Sequence, residues 1–353
     1  MAPIHGWIPW KIAFFWCFKN QAMRVSILQE ELSKEALRKL PFPFCKEYAD
    51  FEKGRGFSYY ILSDEKKEIF IPLKVSKRQI FYVAIFTHAP VKINDDLSPV
   101  EEKEFISAAA DLCAKQLKCI RIEPGSTISA YHAFPDNATA VELGIFSINL
   151  LRTEEEIFAD FNPKYRTQIR KAESQGIDVR YGRNEIGAFY ECYAHTHDRQ
   201  GAAHENLAFF EDMYDALGED KTICCTAYAN GMLESGTFIV FNDYAGYYMY
   251  AGSAEKTLMK GSTRKILWEC MKVMKQRGSA KFVLGGARYK NVEGTKFEQI
   301  QDFKRRFGAE IKDGYIWKKD LNPAMCKLYD FLFWLRCRLR GNEVPKDIVD
   351  SQL

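Results

Sequence analysis

The stretch FNPKYRTQIRKAESQGI, residues 161–177, has the clearest start and end of any helical pattern in the chain. Asn162 precedes Pro163, and an asparagine N-cap followed by a proline in the first turn is typical of a helix start. Gly176 lies where glycines commonly end helices in the left-handed conformation. The pattern therefore predicts one short helix with two defined ends.

This predicted helix is strongly basic. Arg166 and Arg170 are four residues apart, so they share one face about one turn apart. Guanidinium groups bind phosphate and carboxylate in a bidentate geometry, which makes the face a candidate anion site. The alternative is a solvated face with a sheet packed behind it. The candidate binding residues on this helix are Lys164, Arg166 and Arg170.

Length and composition bound the class of protein. The 353 residues allow about two domains, and 47% hydrophobic with 27% charged residues exclude global disorder. A net charge of +3, from 50 basic and 47 acidic residues, argues against a chain that coats DNA. The ten cysteines include no C-x-x-C pair, so we expect reduced, mostly buried thiols in a cytoplasmic protein.

Residues 1–24 are predicted to be an N-terminal aromatic extension. Residues 7–18 are aromatic and apolar but too short to span a bilayer, and no small-residue cleavage site follows them. Two interpretations remain open: Met23 is the true start, or the extension touches a membrane surface.

The two halves of the chain show the same order of predicted elements without a sequence repeat. Strand patterns over residues 25–160 surround a helix predicted over 99–117, and strands and helices again alternate over 161–320. This order predicts two mixed α/β units, and thus an α/β (mixed α+β) fold.

The C-terminal residues 321–353 are predicted to contain a helix followed by a tail. Over residues 323–340, Leu328, Phe331, Leu332 and Leu335 fall on one side of the helix. We expect this helix to dock on the body of the protein. The alternative is a basic amphipathic helix that contacts an anionic membrane surface.

Three further stretches carry candidate site residues. Thr196 and Arg199 lie where a predicted helix ends in a polar loop. Gly285-Gly286 follows a strand predicted over 281–284, and the absence of side chains lets a ligand or a neighbouring helix come close to the backbone. In QDFKRRFGAE, residues 301–310, two phenylalanines four apart can anchor a helix and hold Lys304 and Arg305 in place. A lysine held in this way can stabilise a developing oxyanion. The alternative is cations placed to suit the helix dipole.

Several other classes of site are not indicated. There is no P-loop motif and no G-x-S-x-G elbow, so neither P-loop ATP hydrolysis nor lipase-type chemistry is expected. His195 and His197 are two residues apart and point to different sides of a helix, so no metal site is predicted.

The ordered set of motifs resembles the FemAB-like family, the peptidoglycan interpeptide-bridge aminoacyltransferases of the GNAT superfamily. The motifs that carry the resemblance, in chain order, are residues 161–177, THDRQG at 196–201, YYMYAGSAEK at 247–256, WECMKVMKQRG at 268–278, FVLGGA at 282–287 and DFKRRFGAE at 302–310. They cover the second half of the chain well, whereas the first half matches only in its strand-rich outline.

The resemblance implies two tandem GNAT-like acyltransferase domains with the acceptor in a shared cleft. It implies transfer of an amino acid from aminoacyl-tRNA to the amine of a peptidoglycan or surface-polysaccharide precursor. Arg166 would contact the acceptor's phosphates and Lys304 would stabilise the transferring acyl group, without a protein nucleophile. The remaining substrate-binding candidates are Lys164, Arg170, Thr196, Arg199, Tyr248, Tyr250, Gly285, Gly286 and Arg305.

The donor stays open at this point. No long heptad run is present for the coiled-coil arm that some relatives use on tRNA, and Val283 and Leu284 stand where many relatives carry an acidic residue. Acyl-CoA is the competing donor, although EKTLMKGS, residues 255–262, matches the CoA pyrophosphate loop poorly. The alternatives are therefore an acyl-CoA-dependent N-acyltransferase on an amino sugar or small amine, and a non-catalytic GNAT-like binding module. We expect no tightly bound cofactor, no DNA partner, and a possible partner role for charged tRNA and the inner membrane surface.

Overall fold

A computed structural model describes residues 23–353, so the predicted extension lies almost wholly outside the described residues. Fourteen strands are present in this part of the chain. They are β1 Val25–Ile27, β2 Ser58–Asp64, β3 Ile69–Arg78, β4 Phe81–Phe86, β5 Val91–Lys92, β6 Cys119–Glu123, β7 Thr139–Asn149, β8 Asp178–Tyr181, β9 Thr222–Ala229, β10 Met232–Phe241, β11 Gly246–Ser253, β12 Lys281–Arg288, β13 Glu310–Lys312 and β14 Tyr315–Asp320.

Ten α-helices cover the faces of the strands in the described residues. They are α1 Lys34–Arg38, α2 Lys46–Gly54, α3 Pro99–Lys115, α4 Glu154–Asp160, α5 Pro163–Ser174, α6 Ile186–Asp198, α7 Leu207–Leu217, α8 Ser262–Gln276, α9 Lys296–Arg305 and α10 Pro323–Leu339. Two short 3-10 helices lie at Phe42–Phe44 and Arg183–Glu185. No helix within residues 23–353 is long and apolar enough to cross a membrane.

The strands form one continuous sheet in the order β1-β2-β3-β4-β6-β14-β7-β12-β11-β10-β9-β8, with β5 on β3 and β13 on β7. We call β1 to β6 with α1 to α3 the first lobe, and β7 to β13 with α4 to α9 the second lobe. The late strand β14 pairs with β6 on one side and β7 on the other, so it joins the lobes. The predicted mixed α/β fold is confirmed, and the boundary near residue 160 stays a prediction.

Apolar clusters lie within each lobe, and one of them also joins the lobes, where Phe51 of α2 packs on Phe209 of α7. In the first lobe, α3 buries Phe105 and Ala109 against the sheet. In the second lobe, α6 and α7 cover one face of the sheet, where Phe189 and Phe210 pack on Phe238. The helices α5 and α8 cover the other face. The central strands β9 and β10 of the second lobe are therefore buried on both faces, whereas β8 and β13 remain largely exposed.

The helix α5 begins and ends as the sequence predicts. The Asn162 side chain accepts a hydrogen bond from the Lys164 amide at 3.0 Å, Pro163 occupies the first turn, and Gly176 has φ +70°. The buried side of α5 consists of Tyr165, Ile169 and Ala172, spaced at helical intervals.

Two sequence expectations differ from the structure. The strand predicted to end before Gly285-Gly286 continues as β12 to Arg288, because the glycines lie within the ladder and pair with β7. The helix α10 docks only near its start, where Cys326 is fully buried, and most of its remaining length is exposed. Of the ten cysteines, the nine in the described part are free thiols, and eight of these are buried.

Candidate active site

The parallel strands β11 and β12 separate shortly after they begin. They pair only at Gly246 with Phe282 and at Tyr247 with Val283. Beyond this point each strand carries an unpaired extra residue against its other neighbour, Met249 in β11 and Leu284 in β12. A bulge bends its strand and increases its twist. Two bulges at the same level therefore open a wedge between strands that would otherwise stay hydrogen-bonded.

The glycine pair shapes one edge of this wedge. Gly285 has φ +84°, a conformation that side chains rarely adopt. A Cβ on Gly286 would lie 3.1 Å from both Leu143 Cδ1 and Thr127 Cβ. The pair thus provides a left-handed turn at Gly285 and a close contact with the first-lobe loop at Gly286.

A cavity of about 460 Å³ occupies the wedge. Its walls come from five parts of the chain: the loop after β6, strand β7, the separated strands, α9 and the C-terminal tail. The lining residues are Ser126, Thr127, Ile128, Leu143, Tyr248, Met249, Tyr250, Leu284, Gly285, Gly286, Arg288, Phe297, Ile300, Gln301, Lys304 and Ile348.

Lys304 is a buried cation in this cavity. Its side chain is only 7% exposed, and within residues 23–353 its Nζ donates one hydrogen bond, to the Gly286 carbonyl at 2.8 Å. Burial lowers the pKa of Lys304 to about 8, from an ordinary value near 10.5. At neutral pH the amine is mostly protonated, and an ammonium has three donors. Two donors are therefore left for a ligand.

Arg288 is a second cation in the cavity. Its guanidinium lies over the Phe297 ring at 3.8 Å and donates to Ser351 Oγ at 3.2 Å. Burial lowers the pKa of Arg288, and the described residues place no carboxylate in a salt bridge with it. Two half-buried or buried cations without a counter-ion around one cavity favour an anionic ligand.

Gln301 contributes an unsatisfied acceptor. It is buried, it lies one turn before Lys304 on α9, and its Oε1 has no hydrogen-bond partner in the described chain. Buried polar atoms in folded proteins are nearly always paired, so this acceptor in the cavity wall is free to pair with water or with a group that enters the cavity.

The structure brings together five of the candidate residues and leaves six outside the cavity. Those that line it are Tyr248, Tyr250, Gly285, Gly286 and Lys304. Those that do not are Lys164, Arg166, Arg170, Thr196, Arg199 and Arg305.

The outlying arginines have partners elsewhere. Arg166 donates a hydrogen bond to the Ala159 carbonyl at the end of α4, and Arg170 lies over the Phe158 ring at 5.3 Å. Arg305 is exposed, with its guanidinium 5.6 Å from the centre of the Phe146 ring. On α5, Lys164 is likewise exposed. The basic face of α5 is therefore turned toward α4 and solvent in this conformation.

Thr196 and Arg199 lie at the end of α6. The Thr196 hydroxyl accepts a hydrogen bond from the Ser253 amide at 3.0 Å and so ties α6 to the end of β11. Arg199 is exposed. These residues support the far end of a wedge strand rather than line the cavity.

Sequence reasoning missed Arg288, Gln301 and the tail. Arg288 is two residues after Gly286 on a strand, so period-2 alternation could have found it once the strand was extended. Gln301 precedes Lys304 by one helical turn. Nothing in the sequence indicates that Ile348 reaches the cavity, where Asp347 and Asp350 hold the tail through ion pairs to Lys318.

A second cavity, of about 740 Å³, lies between the lobes. His88, Tyr247 and Lys281 line it, and the Tyr247 hydroxyl has no partner within residues 23–353. Burial lowers the pKa of His88 to about 4. This cavity shares only Ile128 with the first, so it lies apart from Lys304.

Comparison with known proteins agrees with this geometry. The FemAB family model matches residues 142–232, from β7 through α5 to the start of β10. The crystal structure of FemX superposes with a TM-score of 0.63 at 14% identity, over 80% of this chain and 93% of that chain. Among curated proteins, no sequence matches significantly.

Two further solved structures are more distant. L-PGS from Bacillus licheniformis matches with a TM-score of 0.46 at 12% identity, over 82% of this chain and 93% of that one. A tandem GNAT protein from the clavulanic acid biosynthesis pathway matches with a TM-score of 0.43 at 11% identity, over 75% of this chain and 83% of that one.

The predicted resemblance to the FemAB-like family is confirmed by the family model over residues 142–232, and the overall fold resembles that of FemX.

Proposed function

We propose that this protein transfers an aminoacyl or acyl group to an amine of a peptidoglycan or surface-polysaccharide precursor, and that transfer takes place in the wedge between β11 and β12. The observation that carries the proposal is Lys304, a buried ammonium with free donors in the cavity. The FemAB family match to the same lobe supports the aminoacyl form of the reaction.

Lys304 acts on the reacting carbonyl. The substrate amine attacks the carbonyl carbon of the donor, a C–N bond forms, and negative charge develops on the carbonyl oxygen. The ammonium donates a hydrogen bond to this oxygen, in a site where burial strengthens the interaction. The C–O bond of an ester donor, or the C–S bond of a thioester donor, then breaks. The leaving oxygen or sulfur takes up the proton that the amine loses.

Gln301 and Arg288 hold the substrates around Lys304. The unsatisfied Gln301 Oε1 accepts a hydrogen bond from the attacking amine and orients it. Arg288 binds an anionic group of a substrate, a carboxylate or a phosphate, because its fork of donors matches these groups. Stacking on Phe297 restricts the guanidinium to one orientation before the ligand arrives.

Arg166 keeps its predicted role as a ligand for the acceptor's phosphates in this proposal. Its present hydrogen bond to the Ala159 carbonyl is a surface contact, which a phosphate can displace. Lys164 and Arg170 lie on the same helix and would add to the attraction for a polyanionic acceptor.

An acyl-CoA donor is the second candidate, and one observation favours it. The first turn of α8 has no side-chain cap, so its amides are available to a phosphate. Against it, a Cβ on Gly261 would lie 2.9 Å from the Gln168 carbonyl, so the approach to this turn is narrow. The structure-based expectation is that CoA binds weakly and that the aminoacyl donor is preferred.

The experiment is a transfer assay with separated donors. The purified protein is incubated with a nucleotide-linked muramyl pentapeptide and, in parallel, with charged tRNA or acetyl-CoA, and mass spectrometry measures the added mass. A product with charged tRNA alone supports the main proposal, and a product with acetyl-CoA alone supports the second. Binding of the precursor without a product from either donor would instead identify a binding module.

A further inference from the structure

The helix α10 projects from the body of the protein. Cys326 packs against Phe81, Val83 and Ile120, with Met325 and Tyr329 at the edge of this contact. Cys326 is the only residue of the helix that is fully buried. Tyr329 and Asp330 still contact the body, through Phe81 and Arg121, and the remainder of α10, from Phe331 to Leu339, has little cover from the described chain.

An apolar stripe runs along the exposed side of α10. It consists of Leu328, Phe331, Leu332, Leu335 and Leu339, whose spacing of three or four residues places them on one face. Their exposure ranges from 36% for Leu332 to 79% for Leu339. Trp334, itself 49% exposed, stacks on Phe331 and widens the stripe. A stripe this large on the solvent side indicates an interaction surface.

Basic residues flank this apolar stripe on both sides. At about 100° per residue, Lys327 and Arg338 fall on one flank, and Arg336 and Arg340 on the other. None of the four forms a salt bridge within residues 23–353, whereas the one acidic residue of the helix, Asp330, is paired with Arg121 at 2.7 Å. The free charge of the surface is therefore positive.

We propose that α10 is an interfacial helix that lies on a membrane surface rich in anionic lipid. The apolar stripe enters the boundary between headgroups and acyl chains, and the flanking cations bind lipid phosphates. This placement accounts for both the apolar stripe and the basic residues that flank it. It does not depend on the proposed transferase function.

Other occupants fit the charge less well. Residues 1–22 contain Lys11 and Lys19 and no acidic residue, so this segment would repel the flanks of α10. A second copy of α10 would bring the same positive charges together. An anionic bilayer complements them.

The test is co-sedimentation of the full-length protein with large vesicles of phosphatidylcholine, with and without phosphatidylglycerol. We expect binding only to vesicles with phosphatidylglycerol, weakening as salt rises. The double variant Leu332→Asp/Leu335→Asp should bind at least tenfold more weakly. Arg336→Gln/Arg338→Gln should also lose about tenfold at low salt.

A matched control carries two aspartates at exposed apolar positions elsewhere. Val100 and Leu151 are both largely exposed, so Val100→Asp/Leu151→Asp should bind vesicles as the unaltered protein does. Circular dichroism checks that each variant is folded, because Leu332 and Leu335 are only 36% and 37% exposed.

Two results would overturn the proposal. If the folded Leu332→Asp/Leu335→Asp protein binds anionic vesicles as before, α10 is not the contact. If the protein binds no vesicles but shows a dimer in sedimentation velocity that this variant abolishes, the apolar stripe is a surface for self-association.

Discussion

Each lobe contains one pair of parallel strands, and only one pair has opened. In the first lobe, β4 and β6 stay paired through Ile85 and Glu123 at the end of β6, despite a bulge on the way. In the second lobe, β11 and β12 pair at two positions and then separate around the cavity with Lys304. The same arrangement of strands therefore yields a closed ladder in one lobe and a binding site in the other.

The loop that follows β6 packs against the end of β4 and so keeps the closed pair together. Gly125 follows β6, and a Cβ at this position would lie 2.2 Å from the Phe86 carbonyl oxygen, so the backbone occupies the space where a wedge would start. The next residues, Ser126 to Ile128, then form a wall of the second-lobe cavity. The comparison shows that parallel pairing alone does not create a site. Bulges on both strands create it, with one cation from β12, Arg288, and one from α9, Lys304.

The largest expected effect comes from the amine in the open pair. Lys304→Met should lower the transfer rate by a factor of about 10²–10³. Removal of one hydrogen-bond donor to the oxyanion in a buried site typically slows the reaction by this factor. Initial rates with saturating donor and acceptor measure it. Lys296→Met is the control, since it removes a lysine from the same helix outside the cavity. Equal rates for both variants would remove Lys304 from the mechanism.

A substitution beside the closed strand pair, β4 and β6, should lower the stability of the fold. Gly125→Ala forces a methyl group against the Phe86 carbonyl, and we expect the free energy of unfolding to fall by about 3 kcal/mol. Urea unfolding followed by circular dichroism measures this change. Gly54→Ala, a helical glycine with open space around it, is the control and should be neutral or stabilising. An unaffected Gly125→Ala protein would mean that the first-lobe pair has room to open.

Substitution of Arg288 in the cavity and of Arg166 on α5 tests the two proposed anion contacts through the KM of each substrate. Arg288→Gln should raise the KM of one substrate about tenfold or more, because a charged hydrogen bond contributes about 1.5–3 kcal/mol. Arg166→Gln should raise the KM of the acceptor alone if its predicted phosphate contact forms. Steady-state kinetics with each substrate varied in turn separates the two. An unchanged KM in Arg288→Gln would leave the cavity without its proposed anion site, and an unchanged KM in Arg166→Gln would mean that α5 does not bind the acceptor.

A smaller effect concerns stability and pH. Burial that lowers the pKa of Lys304 from 10.5 to about 8 disfavours the folded state by about 3 kcal/mol below pH 8. Between pH 8 and 10.5 the unfolded chain binds more protons than the folded one, so this penalty disappears as pH rises.

Lys304→Met should therefore be more stable than the unaltered protein at pH 7, by about 1–2 kcal/mol once the loss of the hydrogen bond to the Gly286 carbonyl is included. Chemical unfolding at pH 7 and at pH 10.5 measures both ends of the range. The gain should be absent at the higher pH. A gain that does not change with pH would show that the amine is not the cause.

Local patterns in the sequence determined much of the second lobe. The caps of α5, the Gly285-Gly286 pair and the placement of Lys304 between two phenylalanines all depend on residues close together in the chain. Such features follow from helix capping, backbone freedom and helical periodicity, which act over a few residues. The ordered motifs also carried the resemblance to the FemAB-like family, which the family model bears out over residues 142–232.

Only the tertiary structure decided which charges meet. Arg166 and Lys304 have equal claims as sequence candidates, yet Lys304 lies in the wedge and Arg166 lies against α4. Arg288 and the tail residue Ile348 reach the cavity through sheet register and through ion pairs to Lys318. Register, bulges and the pairing of β14 between the lobes depend on contacts between distant parts of the chain. Hydrophobic burial and hydrogen-bond satisfaction select those contacts over the whole fold, and no local pattern encodes them.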